Sequence, residues 1–143
     1  MLRTGFLAAV FAFALAAFFR PDAGAAQSDD DAAAIRSTIQ SQLSAMQQDR
    51  WAEAFTYASP TIQGIFRNPE NFSRMVVGGY PMVYRPKTFK AGELTPGPQG
   101  PVQVMFFEDQ DGRLFIADYL MQLVDGEWRI NGVSIRPAPE QTV

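Results

Sequence analysis

The chain has no cysteine and no histidine in its 143 residues, and its only lysines are Lys87 and Lys90. Each absence removes a class of chemistry. Without thiols there is no disulfide, so stability must come from packing alone. Without imidazole or thiolate, a transition-metal site would rest on carboxylates only and be weak and unselective. A serine nucleophile would lack its usual base, and neither a Gly-x-Ser-x-Gly elbow nor a Gly-rich phosphate loop is present. A net charge of -3 without clustered cations argues against nucleic acid or anionic lipid as a partner. No metal, no cofactor and no catalytic residue is therefore assigned.

What is present at the amino end is an address. Arg3 precedes an unbroken apolar run over residues 5–19, and Ala23-Gly24-Ala25-Ala26 follows Arg20-Pro21-Asp22. The run is shorter than the roughly 20 apolar residues a spanning helix needs, and it ends at small residues that an export peptidase accepts. Residues 1–26 read as a signal peptide, with cleavage after Ala25 or Ala26. Loss of Arg3, Arg20 and Asp22 takes the net charge from -3 to -4. Residues 27–143 then form a single domain, with no stable membrane anchor and a periplasmic or secreted location. The lack of disulfides in so small an exported chain favours a bacterial periplasm.

Behind Ser28 as N-cap and Asp29 to Asp31 at the positive end of a helix dipole, Ile35, Ile39, Leu43 and Met46 recur at helical spacing. A second short helix runs through Trp51, Ala54, Phe55 and Ala58 and stops where Ser59-Pro60 starts another turn. Asn68-Pro69-Glu70 opens a helix to about Val77, ended by Gly78-Gly79. From Met82 the period changes to that of strands, predicted over residues 82–94, 101–108, 113–124 and 127–135. Asp125-Gly126 is a two-residue hairpin signal that sets Leu123 opposite Trp128 and Met121 opposite Ile130.

A four-residue turn at 109–112 sets Glu108 opposite Arg113 and Phe106 opposite Phe115. On that register Val102, Val104, Phe106, Phe115, Ala117, Tyr119, Met121, Leu123, Trp128 and Ile130 face the helices. A bulge at Asn131-Gly132 returns Val133 and Ile135 to the same face and curves the sheet. The opposite face carries Met105, Phe107, Leu114, Ile116 and Leu120 beside Gln103, Asp118, Gln122 and Arg129. It is apolar enough to be an interface for a homodimer or a protein partner. The alternative is that the C-terminal tail or a helix covers it.

The element Asp49-Arg50-Trp51-Ala52-Glu53-Ala54-Phe55 and the hairpin Asp125-Gly126-Glu127-Trp128-Arg129-Ile130-Asn131-Gly132-Val133 resemble the nuclear transport factor 2-like, or cystatin-like α+β, superfamily. More narrowly, Ile35 to Ile135 resembles the exported bacterial proteins of the domain of unknown function 4864 family. The resemblance implies an α+β fold in which N-terminal helices pack on a strongly curved antiparallel sheet of about four strands, enclosing a cone. It implies no activity, since the superfamily hosts isomerases, dehydratases and cyclases alongside non-catalytic ligand carriers and dimeric scaffolds.

Candidate lining residues of such a cone are Tyr119, Tyr84, Trp128, Phe115 and Met121, with Tyr57 and Tyr80 as further tyrosines. A tyrosine hydroxyl donates a hydrogen bond well but is a poor base at neutral pH, and each of these rings also fits a plain core role. Asp118 falls on the outer face. Glu108 falls on the inner face at a strand end, as a surface ion-pair partner of Arg113. Asp109-Gln110-Asp111-Gly112 resembles the start of a calcium loop but lacks the following bidentate Glu and reads as a turn. Arg85 and Lys87, alternating on an edge strand, would protect that edge from pairing. Two functions follow. One is a non-catalytic domain binding a small apolar or aromatic ligand, or a protein partner. The other is a cofactor-free isomerase, cyclase or dehydratase with Tyr119 as donor and Glu108 or Asp49 as base.

Overall fold

The computed structural model describes residues 27–139, so the signal-peptide assignment lies outside the described residues. Among the described residues five helices precede four strands. The first, α1, spans Asp29–Gln47, and Ser28 accepts a hydrogen bond from the Asp31 N–H as its N-cap. Its stripe of Ile35, Ile39, Leu43 and Met46 is fully buried, each side chain contributing about 1.5–3 kcal/mol by leaving water. Then come α2 (Trp51–Thr56), α3 (Pro60–Phe66), α4 (Pro69–Gly79) and α5 (Pro81–Tyr84). Three of them begin with proline, whose missing N–H costs nothing at a first helical position. Ser59 and Asn68 cap α3 and α4 as N-caps. Among the described residues no helix is long and apolar enough to cross a membrane.

The strands β1 (Thr88–Thr95), β2 (Val102–Glu108), β3 (Leu114–Val124) and β4 (Glu127–Pro137) form one antiparallel meander in the order β1-β2-β3-β4. The first strand begins later than the sequence predicts. Pro81 starts a helical turn through Tyr84, so Tyr84 and Arg85 do not lie on the sheet edge. The β3–β4 hairpin has the predicted register, Val124 opposite Glu127 and Met121 opposite Ile130, with Asp125 and Gly126 both at positive φ. The predicted bulge is also there. Pairing shifts between Leu120 and Met121, and Val133 and Ile135 pack on the core.

The β2–β3 register differs from expectation by one residue, and that flips β2. Glu108 faces Leu114 and Phe107 faces Phe115. Asp109 and Arg113 close the hairpin through the Asp109 N–H to Arg113 carbonyl bond, 2.9 Å, leaving a three-residue loop with Gly112 at φ 82°. The Asp109 carboxylate holds that loop, accepting from the N–H groups of Asp111 and Arg113 at 3.0 and 2.8 Å. The left-handed glycine with a three-residue loop gives one residue fewer in the turn than the four expected. Consequently Gln103, Met105 and Phe107 point inward and are buried, whereas Val102, Val104 and Phe106 point outward, with Phe106 37% exposed. Leu123, expected inside, is 54% exposed at the strand end.

The core fills the space between the helices and the inner sheet face. Side-chain bonds join the two layers: Thr38 donates to the Trp128 carbonyl at 3.1 Å and the Trp128 indole donates to Asp31 at 3.3 Å. The connection between α2 and α3 lies along β4. Ser59 N–H donates to the Ile130 carbonyl at 2.8 Å, Ile130 N–H to the Tyr57 carbonyl at 2.9 Å, and the Ser59 hydroxyl to Asn131 at 2.7 Å.

Candidate functional site

Packing is incomplete where the bulged part of β4 meets the helices, and a partly enclosed cavity of about 290 Å³ lies there. From the sheet, Tyr119, Ile130, Gly132 and Val133 form one wall. From α1 come Gln42 and Met46, and from the segment leading into and along α3 come Ala58, Ile62 and Phe66. The far wall is Phe72, Met75 and Val76 of α4, with Tyr80 and Val83 beyond it. The positions follow from local sequence. Phe72, Met75 and Val76 share one face of α4 at i, i+3 and i+4 spacing, and the bulge turns Val133 back toward the helices.

Among the described residues no charged side chain lines this cavity. Its polar side chains are few. The Gln42 amide nitrogen is spent on the Ala54 carbonyl at 3.2 Å. Tyr119 is fully buried, and its hydroxyl has no hydrogen-bond partner among the described residues. Burial raises the Tyr119 phenol above its ordinary pKa, because the charged form would lie in a low-dielectric interior. The group is therefore a neutral O–H, able to donate a hydrogen bond and unable to act as a base at neutral pH.

Of the other expected lining residues Tyr80 is at this cavity, whereas Tyr57, Tyr84, Trp128, Phe115 and Met121 are not. Trp128 and Met121 are buried in the core, and Phe115 is half-buried against it. Tyr84 is elsewhere. Its ring packs on Trp51 at 5.4 Å between centroids, and its hydroxyl donates to Asp49, which also accepts from Arg85 at 3.1 Å. The Arg85 guanidinium lies 4.7 Å from the Tyr84 ring centroid; its hydrogen bond to the Tyr84 hydroxyl, then Asp49, raises its pKa further above the ordinary value. This tyrosine–carboxylate pair is open to water on a polar surface, since the Asp49 and Arg85 side chains are more than half exposed. Glu108 faces outward and pairs with Lys87 at 3.6 Å, not with Arg113. Neither acid lines the cavity with Tyr119. Among the described residues no group of three or more carboxylates is arranged to hold a metal ion.

Of the expected interface residues, Met105 and Phe107 are core residues of the inner face, each 1% exposed. Leu114, Ile116 and Leu120 do lie on the outer face. Leu114 is open to solvent, Leu120 is half-buried and Ile116 is buried among its neighbours there. Asp118 is also on this face, paired with Arg136 at 3.3 Å. The cavity-lining residues of α3 and α4 escaped the sequence reading. Their only signal was the apolar stripe of α4, which does not say which part of the sheet it covers.

The fold and the cavity define a class, an α+β domain whose helices and antiparallel sheet partly enclose a largely apolar cavity. Within it, residues 27–143 match the family described as Domain of unknown function (DUF4864), and the chain belongs to that family. No curated protein and no solved structure matches the chain.

Proposed function

We propose that the protein is a non-catalytic, small-ligand-binding domain of the nuclear transport factor 2-like type, exported to the periplasm by residues 1–26. The observation that carries the binding reading is the cavity of about 290 Å³, lined mainly by apolar side chains and, among the described residues, by no charged one. At crystal-like packing it accommodates a molecule of roughly a dozen to fifteen non-hydrogen atoms. The lack of an acid or base among the described residues that line the cavity supports binding over catalysis, because proton transfer needs such a group within hydrogen-bond reach of the ligand. Export is supported by Arg3, the apolar run and the small residues before position 27.

The test is native mass spectrometry of the full chain expressed with its own amino terminus and recovered from periplasm. The expected result is a mass lacking residues 1–25 or 1–26 and a retained small molecule that is lost when Ile62→Trp, at a lining position, fills part of the cavity. A full-length mass in the cytoplasm would refute export. Equal ligand content in the wild type and Ile62→Trp would refute the cavity as the site.

A second reading rests on the outer sheet face, where Val102, Val104, Phe106, Leu114 and Leu120 leave apolar surface open. It is a homodimer through that face. Light scattering reads it directly: a dimer reduced to monomer by Leu114→Lys supports the reading, and a monomer at all concentrations refutes it.

A further inference from the structure

The strand β1 is terminal in the sheet, so along one side its backbone N–H and C=O groups have no strand beside them among the described residues. Such edges are commonly guarded by proline or charge, because they pair readily with another chain. No proline lies within the eight residues of β1. The cations expected to guard it are engaged elsewhere, since Arg85 lies before the strand and binds Asp49, and Lys87 pairs with Glu108 of β2. Inside the strand two opposite charges are free. Among the described residues Lys90 has no carboxylate partner and Glu93 no cationic one. Phe89, on the same edge, is 38% exposed.

A bulge decides what this edge can pair with. Ala91 faces Met105 and Leu94 faces Gln103, so Gly92 and Glu93 together take the one place opposite Val104. The bulge is held from inside: the buried Gln103 amide donates to the Gly92 and Glu93 carbonyls at 3.0 and 3.3 Å, and a Cβ at Gly92 would lie 2.6 Å from the Phe106 ring. Ala91 is thereby the middle place of the strand. Phe89 and Leu94 stand equally far from it on the inner face, and Lys90 and Glu93, like Thr88 and Thr95, equally far on the outer face. Without the bulge Phe89 and Leu94 would fall on opposite faces. A strand with matched side chains and opposite charges at equal distances from its centre is complementary to itself about a two-fold axis. We infer that this edge takes a second copy of the chain, the two β1 strands antiparallel with Ala91 on the axis. Lys90 then faces Glu93 of the partner subunit, Phe89 faces the partner's Leu94, and two four-stranded sheets join edge to edge. This pairing goes beyond the ligand-binding reading and is independent of it, and it leaves the outer sheet face uncovered.

Light scattering of the purified full chain and of its charge variants over a range of concentrations tests the pairing, with circular dichroism verifying each fold. Lys90→Glu and Glu93→Lys each set like charges opposite one another twice in the dimer and should weaken it about tenfold. An equimolar mixture of the two variants restores both opposite-charge pairs and should dimerise as the wild type does. The chain has no cysteine of its own, so Ala91→Cys reports the axis: mild oxidation should link two copies through residue 91, and Glu127→Cys on the far edge should not link them. A wild type that is monomeric at all concentrations overturns the inference, as does an Ala91→Cys variant that forms no linked dimer. A dimer that Leu114→Lys dissociates and Lys90→Glu leaves intact lies on the outer face and overturns edge pairing.

Discussion

Tyr119→Phe should make the ligand-free protein more stable, contrary to the usual outcome for a buried tyrosine. The hydroxyl lies in the interior with no partner among the described residues, so deleting it relieves a desolvation penalty of roughly 1–3 kcal/mol. The oxygen leaves a void of about 15 Å³, which at about 24 cal/mol per Å³ costs about 0.4 kcal/mol. The net gain is about 1–2 kcal/mol, and for a domain of this size it raises Tm by roughly 3–8 °C. Calorimetry and urea unfolding of the ligand-free protein measure it, with an unchanged m-value confirming that the native state is the same. A Tm lower than wild type would refute the reasoning, because it would mean that the hydroxyl makes a stabilising bond.

Three further outcomes follow from the sheet. Met105→Ala should cost about 2–5 kcal/mol and Val104→Ala under about 1 kcal/mol, because Met105 is buried and Val104 faces outward; urea unfolding giving the reverse order would overturn the register. Gly112→Ala should cost about 1–2 kcal/mol, since Gly112 has φ 82° in the β2–β3 loop; a thermal melt identical to wild type would mean that the loop adopts another conformation. Partial burial works to raise the Asp109 carboxyl pKa, but bonds from Arg113 backbone and side chain and from the Asp111 N–H outweigh it and hold it below the ordinary carboxylate value. A lowered folded-state pKa gives stability that is present above the unfolded value and lost as pH falls through the folded one. Asp109→Asn should therefore flatten the acid limb of a stability-versus-pH curve, and unchanged acid curves would refute that role.

Much of the fold was legible because its signals are local. Ser28 and the Ile35, Ile39, Leu43, Met46 stripe define α1 without reference to anything distant, and Asp125-Gly126 sets the β3–β4 register through two residues that accept positive φ. The β2 strand was not legible for a physical reason. Its sequence Val-Gln-Val-Met-Phe-Phe-Glu is apolar at both parities, so alternation cannot choose a face. The choice passed to loop length, and the Asp109 side chain fixes a three-residue loop that composition alone does not distinguish from four. Gln103 misled as well. It is buried because its amide donates to the carbonyls of Gly92, Glu93 and Val104, bonds that depend on the irregular pairing of β1. The cavity was hidden for the same kind of reason, since it is assembled from α3, α4 and a bulge that meet only in three dimensions. Of the expected lining residues only Tyr119 and Tyr80 are there, and Tyr119 was readable because it lies on β3, whose register with β4 is set by a local turn.

With the α2–α3 connection pinned to β4, the cavity has one wall on the sheet and the other on the helices. Tyr119 is anchored in a hairpin whose geometry is set by its turn and bulge, while Ile62, Phe66, Met75 and Val76 stand on helices α3 and α4 that share no ladder with the sheet. Exchanging the helix side chains can thus redraw the volume and contour of the cavity while its hairpin wall stays where it is.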